Sequence, residues 1–375
     1  MNALFAMQAE PKTAPPPDWR EITSRRREFA NAERVWQKVL APELSRREGA
    51  YGRRLVRAVT QTAIYGLIAA VLSYIPLNIL LGSRPDVFIL AIVIGGAIGG
   101  FICAFDWIAF FTARRDNKHL ILGAAAASFG FKYDSLHEDL SDLRNHGQLL
   151  RRLAKFSLKH HGGLAQLLGH SAQTVTPPTP AYDALKRAGL LPDHFRALFE
   201  DMITGERAGV RFSMVEASMD DMRGKRVTNV FTGVLLHIEY PRRILGRTLI
   251  ARREWWRLRP SSWSLQKVDL NSRALDQSFT VYSDDQVEAR TLLTPDRMER
   301  LVRLERQFSS GKLRGVFEDG HMTLALEGHD RFEAGSMFGP LVDPRRFTDA
   351  LTELETICDL IDGFMSREWT HKTHL

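Results

Sequence analysis

Two nearly uncharged stretches, Ala58 to Leu81 and Val87 to Phe111, stand back to back with five residues between them. They constrain the fold more than any other feature of the chain. The first has 24 positions without a charged side chain; the second has 25, with Asp106 near its end. About 20 apolar residues at 1.5 Å each cross the ~30 Å hydrocarbon layer of a bilayer. A soluble surface helix needs a polar face, and neither stretch has one. The expectation is a transmembrane hairpin over 58–111, with spans at 58–81 and 87–111. Its turn is Gly82-Ser83-Arg84-Pro85-Asp86, where glycine and proline end helices.

Charge then sets the direction. Arg53, Arg54 and Arg57 precede the first span, Arg114, Arg115 and Lys118 follow the second, and the turn holds only Arg84. Basic residues stay on the cytoplasmic side, so the sequence predicts a multi-pass protein of a cell inner membrane with both termini cytoplasmic. Within the second span Gly95, Gly96, Gly99 and Gly100 form two overlapping small-xxx-small steps, which let a helix approach closely. The first span is one partner for this surface and a second copy of the chain is the other. Pro76 and Asn78 are candidates for a kink or a hydrogen bond across the hairpin, and Asp106 beside Trp107 reads as an interfacial charge within reach of water. Two helices give little wall for a pore, which argues against a transporter.

The rest of the chain divides around this hairpin. Residues 1–17 carry Pro11 and Pro15 to Pro17 and read as a disordered tail; the apolar start lacks the basic region of a signal peptide. Residues 18–57 place Ile22, Phe29 and Trp36 at heptad spacing among arginines, an amphipathic helical arm expected to end near Pro42. Residues 112–180 read as a helical connector: Ala113 to Phe129, then Lys132 to His170, closed by Thr176-Pro177-Pro178-Thr179-Pro180. From 181 to 370 the period shortens. Arg211 to Ser218, Val227 to Glu239, Arg247 to Arg253, Leu265 to Leu270, Ser278 to Tyr282 and Met322 to Leu326 read as strands. One helix starts at Thr294-Pro295, with Glu299 and Arg303 paired on its outer face, and a last helix runs from Pro344 to Phe364. The fold class is α+β: a two-helix transmembrane hairpin followed by a soluble domain with a mainly antiparallel sheet and flanking helices.

Several segments come in an order that resembles a known family. They are Glu200 to Gly205, Phe212 to Ala217, Val230 to Leu235, and above all Tyr282-Ser283-Asp284-Asp285-Gln286, Arg290 and Thr294-Pro295. Together they resemble a bacterial membrane-protein family known as domain of unknown function 3137, over about residues 110–365. The resemblance implies the architecture and carries no chemistry.

Direct search for chemistry returns little. There is no phosphate-cradling loop, dinucleotide fingerprint or nucleophile elbow. Two cysteines, Cys103 and Cys358, exclude a cysteine metal site and a disulfide framework. His160, His161, His371 and His374 are candidate metal ligands, but His371 and His374 fall in a terminal tail without a nearby carboxylate partner set. No catalytic residue, metal or cofactor is expected. Asp284, Asp285 and Glu288 form an acidic cluster in which Ser283 or Asp284 is expected to cap a short helix, Asp285 to favour its positive N-terminus and Arg290 to pair with a carboxylate; the alternative is a metal or general-base role, as in a hydrolase. Arg252, Arg253, Trp255, Trp256 and Arg257 combine guanidinium and indole, which suits a membrane interface, a protein partner, or packing under the sheet. The net charge of +7 follows no nucleic-acid module, so no nucleic-acid partner is expected. Three functions compete: a membrane-anchored scaffold that recruits a protein partner, a sensor of a small molecule or lipid headgroup, and a carboxylate-dependent hydrolase.

Overall fold

The computed structural model describes residues 17–82, 85–136, 179–223, 226–252, 265–270, 279–307, 312–328 and 340–365. The chain divides into two compact units. One contains residues 1–124, 138–148 and 334–348; the other contains 125–137, 149–333 and 349–375.

The first unit is helical. Helix α1 (Trp19–Arg25) starts at Asp18, whose carboxylate accepts from the Arg20 and Glu21 amides. Helix α2 (Ala32–Val35) leads through a π-turn at Trp36–Leu40 into α3 (Ala41–Leu81). The arm was expected to end near Pro42, and instead it runs on into the first apolar stretch. Pro42 falls in the first turn of α3, where a missing N–H costs nothing. The Ala41 amide donates five residues back to Trp36, so the wider turn absorbs the proline. Phe29, Trp36, Leu40 and Leu44 are buried along the arm, and Trp36 stacks on Phe347 at 6.4 Å. Pro76 lies inside α3 without ending it.

Helix α4 (Pro85–Ile102) folds back on α3, and after a one-residue break at Cys103 the path continues as α5 (Ala104–Ser128). The second stretch is therefore two helices in series. Both α3 and α4 are long and apolar enough to cross a membrane, and their most apolar windows are only 6% and 22% buried. That low burial separates them from the core helices of a soluble protein, which pass the same length test. Close approach holds the pair together. A Cβ on Gly95 would stand 2.4 Å from the Gly66 carbonyl oxygen, and one on Gly99 2.6 Å from the Gly66 nitrogen. Tyr74 meets Phe88 edge-on at 6.1 Å, and the Trp107 indole donates to Thr62 Oγ1 at 3.0 Å.

The second unit is built on a nine-stranded sheet, antiparallel throughout the described residues, in the order β1-β2-β3-β4-β9-β8-β5-β7-β6. The strands are β1 (Lys132–Ser135), β2 (Arg196–Arg207), β3 (Val210–Arg223), β4 (Arg226–Glu239), β5 (Thr248–Ala251), β6 (Gln266–Val268), β7 (Thr280–Ser283), β8 (Lys312–Glu318) and β9 (His321–Glu327). Strand β1 falls where a helical connector was expected; residues 137–178 of that connector lie outside the described residues. Helix α6 (Pro180–Arg187), capped by Thr179, covers one face with Ala181, Ala184 and Leu185 against Val215, Phe231, Leu235, Leu249 and Ala325. Helices α7 (Gln286–Leu292), α8 (Pro295–Gln307) and α9 (Pro344–Met365) supply the other apolar surfaces. Phe364 of α9 stacks on Phe317 of β8 at 6.3 Å. The expected Thr294 cap is not made: Pro295 takes the first helical position, but the Thr294 hydroxyl is buried without a hydrogen-bond partner. On α8 the ion pair is Asp296–Arg300 at 3.5 Å.

The hairpin contact makes a sharp prediction. Gly99→Val forces α3 and α4 apart, whereas Gly96→Val, at a position whose added Cβ meets nothing, leaves them in contact. Disulfide formation between cysteines placed at Ser73 and Ala91, where the Ser73 hydroxyl lies 3.5 Å from the Ala91 carbonyl, should drop in the first variant and persist in the second.

Candidate functional site

The family-type motif forms one hydrogen-bonded knot. Asp285, and not Ser283 or Asp284 as expected, caps α7: its Oδ1 accepts from the Val287 and Glu288 amides, both at 2.9 Å, because it is the last residue before the helix. The carboxylate satisfies two amides that the helix start would leave open, next to its positive end. Asp284 Oδ1 turns the other way and accepts from the Arg247 amide at 2.7 Å. Glu288 takes the Leu245 and Gly246 amides at 3.0 and 2.8 Å. Ser283, fully buried in β7, contacts Thr248 Oγ1 at 3.0 Å and the Asp285 amide at 3.1 Å. Gln286 donates to the Lys267 carbonyl at 3.0 Å and receives Arg290 at 3.3 Å. Tyr282 sits in β7 between Leu249 and Lys267.

All three carboxylates of the cluster thus serve backbone amides of the loop before β5 or of α7 itself. Gly246 is where the loop passes closest: a Cβ there would lie 2.5 Å from Asp284 Oδ1. The arrangement fixes β5, β7, β6 and α7 relative to one another.

Of the arginine–tryptophan group, Arg252 is placed at the end of β5. It grips the buried Glu305 through Nε and Nη2 at 2.9 and 3.0 Å, and Glu305 also accepts from the Leu313 amide. Its first role is to neutralise a carboxylate inside α8. Arg253, Trp255, Trp256 and Arg257 lie outside the described residues, as do the four histidines considered as ligands. Gly95 and Gly99 face α3, while Gly96 and Gly100 have open space beside them. Cys103 and Cys358 are both free and buried.

The structure adds two clusters that the sequence did not single out. Strand β2 carries a bulge between Phe199 and Met202, so that Glu200 and Asp201 together oppose Glu216. Val215 and Ala217 point into the α6 core, which turns Glu216 to the opposite face. Oxygens of Glu200, Asp201 and Glu216 come within 4.8 Å of one another, the one such trio among the described residues, and Asp201 accepts from the Tyr133 hydroxyl at 2.5 Å. A hard cation is the ligand such oxygens could hold. The signal was present as three acids in two otherwise apolar segments, but only the bulge brings them together.

The second cluster is a histidine pair on neighbouring strands. His237 and His321 stack at 4.5 Å, His237 Nδ1 bonds Thr323 Oγ1 at 2.8 Å, and His321 Nδ1 donates to the Asp319 carbonyl at 2.8 Å. Burial, reinforced by the positive potential of His321, pushes His237 down to about 4. A shallow cleft of about 240 Å³ lies between α8 and α9, lined by Arg300, Arg303, Leu304, Thr356, Asp359 and Leu360.

Residues 229–365 match the model of the family described as "Protein of unknown function (DUF3137)". The likeness is to that segment alone, less than half of the chain. The DUF3137 match starts in β4 and ends in α9, so it includes the whole Ser283–Pro295 knot and leaves the hairpin and β1 to β3 upstream. No curated protein matches the chain. Among solved structures, the mycobacterial trehalose monomycolate transport factor A, TtfA, is similar over 66% of this chain and 96% of its own, at 12% identity and a TM-score of 0.29. A score that low transfers neither fold nor function.

Two measurements follow. Asp285→Ala should lower stability by about 1 kcal/mol through loss of the cap, and Gly246→Ala by about 1–3 kcal/mol through overpacking, both read by denaturant melts of the full chain. The histidine pair gives a pH dependence. Below pH 6.5 the unfolded His237 takes a proton that the folded one refuses, so stability falls as pH drops from about 6.5 to about 4 and then levels. With its partial exposure discounted, the loss is about 2 kcal/mol. His237→Gln should remove that slope.

Proposed function

We propose that this chain is a membrane-anchored protein whose α3–α4 hairpin crosses a bilayer twice and whose DUF3137 domain is a cytoplasmic interaction module without a catalytic role. One observation carries the reading. Leu67, Leu72, Ile79 and Leu80 on α3, and Phe88, Ile89 and Val93 on α4, are all more than half exposed. Each such side chain costs about 1.5–3 kcal/mol if left in water, and together they form an apolar surface far larger than a soluble monomer shows. Lipid is the solvent that removes the cost. The hairpin's polar boundary fits this placement. Arg57 pairs with Asp106 at 3.1 Å, and Trp107, Phe110 and Phe111 stack next to them. Aromatic side chains of this kind suit the interface between hydrocarbon and water.

The non-catalytic part of the reading rests on the knot. Asp284 and Asp285 each give one oxygen, and Glu288 gives both, to the protein's own amides, so a hydrolase built on them would draw on carboxylates that already hold the loop and α7 in place.

The test is extraction and orientation in cells. Membranes carrying the full chain should keep it in the pellet after an alkaline carbonate wash, and a reporter fused after Leu375 should behave as cytoplasmic. Release into the supernatant would falsify the anchor; an externally active reporter would reverse the topology. Hydrolysis abolished by Asp285→Asn in a chain that still folds would overturn the non-catalytic assignment.

A further inference from the structure

The cleft between α8 and α9 holds two guanidiniums that the fold places without neutralising. Arg300 and Arg303 stand three positions apart on α8, within one turn, and both line the cleft. Thr356 and Asp359 line it from α9. Leu304 and Leu360, 2% and 3% exposed, form its apolar floor.

Arg300 is held by a missing side chain. A Cβ on Gly363 would stand 2.4–2.5 Å from Arg300 Cδ, Nε and Nη1, so the arginine lies across α9 in the space that glycine leaves open. Glycine is a poor helix former, and in the last turn of α9 it makes room for this one arginine.

The charge so placed is not answered at its fork. Asp296 meets Nε alone, at 3.5 Å. Asp362, next to Gly363, is engaged by Arg207, whose Nε donates to Oδ1 at 2.7 Å. Neither terminal nitrogen of Arg300 has an acceptor among the described residues. Arg303 is exposed, and the Glu299–Arg303 pair expected from their spacing is not made. Like charges one turn apart on a helix repel. An anion seated between them removes that repulsion and gives both forks an acceptor.

The rest of the cleft chooses among anions. Its volume is about 240 Å³, the space of about eight waters at ~30 Å³ each, which suits a small acid and not a nucleotide. Asp359 opposes a phosphate dianion more than a singly charged carboxylate. The two leucines give a hydrocarbon stem an apolar surface to cover.

We propose that the α8–α9 cleft binds a carboxylate carried on a short aliphatic stem, with Arg300 and Arg303 sharing the carboxylate and Leu304 and Leu360 taking the stem. A free small acid and a glutamate side chain of a protein partner carry the same chemistry. The site lies wholly within the second unit and is independent of where the hairpin sits.

Thermal melts of the full chain in detergent, at constant ionic strength, test it with butyrate as the probe. Butyrate should raise the Tm by binding the folded state; butyramide, the same stem without the charge, and inorganic phosphate should not. Arg300→Gln combined with Arg303→Gln should weaken butyrate binding, read from the concentration dependence of the Tm, by about tenfold or more. Gly363→Ala changes no charge and should weaken it by displacing Arg300. Arg306→Gln, an exposed arginine at the end of the same helix and outside the cleft, should leave it unchanged. Saturation-transfer NMR from the native chain to butyrate gives a second readout that needs no variant to fold. A capped tripeptide with a central glutamate separates the two sources: a tripeptide that displaces butyrate assigns the carboxylate to a partner, and butyrate bound without displacement assigns it to a free acid. No saturation transfer and no Tm shift with butyrate, a response to butyramide or phosphate as strong as to butyrate, or a double variant that binds as the native chain does overturns the proposal.

Discussion

The contact of Gly66 with Gly95 and Gly99 is the interaction on which the helical unit depends. In water two apolar helices associate because doing so hides surface; in hydrocarbon that drive is absent and only close packing, hydrogen bonds and lipid entropy remain. In the membrane placement proposed above backbones must therefore approach, and any side chain larger than hydrogen at Gly95 or Gly99 would occupy the space of the Gly66 peptide. The few polar contacts fall where the hairpin needs alignment: Trp107 on Thr62, and Arg57 on Asp106. Each joins a residue of α3 to one of α5, so the register set by the glycines is repeated at the polar end of the pair.

The sheet unit solves a different problem, that of charges placed inside. Arg297 is buried, with its guanidinium donating to the carbonyls of Thr291, Leu292 and Phe364, and it lies over the Tyr240 and Phe364 rings. It thus satisfies carbonyls that the ends of α7 and α9 leave open and complements the negative ends of both helices. Arg314 does similar service between Glu327 and the face of Phe231. Glu305 is answered by Arg252. Losing one partner from any of these would leave a buried charge uncompensated, which is far more costly than never having had the pair. The matched charges fix which elements meet inside this domain, while its apolar residues supply most of the buried surface.

These matched charges also explain where the sequence was legible and where it was not. β4 and β9, rich in branched and apolar residues, read as strands from period alone, and α9 shows its buried face in Phe347, Leu351, Leu354, Ile357 and Ile361. The paired apolar helices were legible for the same reason, since length without charge needs no tertiary knowledge. Strand β2 was missed because its bulge sets two acids side by side and breaks the alternation. Strand β8 was missed because Arg314 and Gly315 sit at its centre; the first is paired internally, and the second admits Leu324 at a distance no Cβ would allow. The arm's continuation through Pro42 was hidden because a proline inside a helix and a proline in its first turn look alike until the π-turn before it is seen.

The candidate site shows the same limit from the other side. Asp284, Asp285 and Glu288, three acids within five positions, invite a catalytic reading. Specificity of sequence measures how many constraints a segment satisfies, and geometry alone says whether they point outward or inward. Here Asp284 reaches back to the Arg247 amide, Asp285 reaches forward to α7, and Glu288 reaches sideways to Leu245 and Gly246, so three acids in one short segment are needed to make a loop, a strand and a helix meet at one place. A glycine at 246 is the counterpart that lets the loop come close enough. A segment so constrained enforces the fold around it, and whatever this domain binds must be sought at surfaces whose donors and acceptors are not already spent on its own backbone.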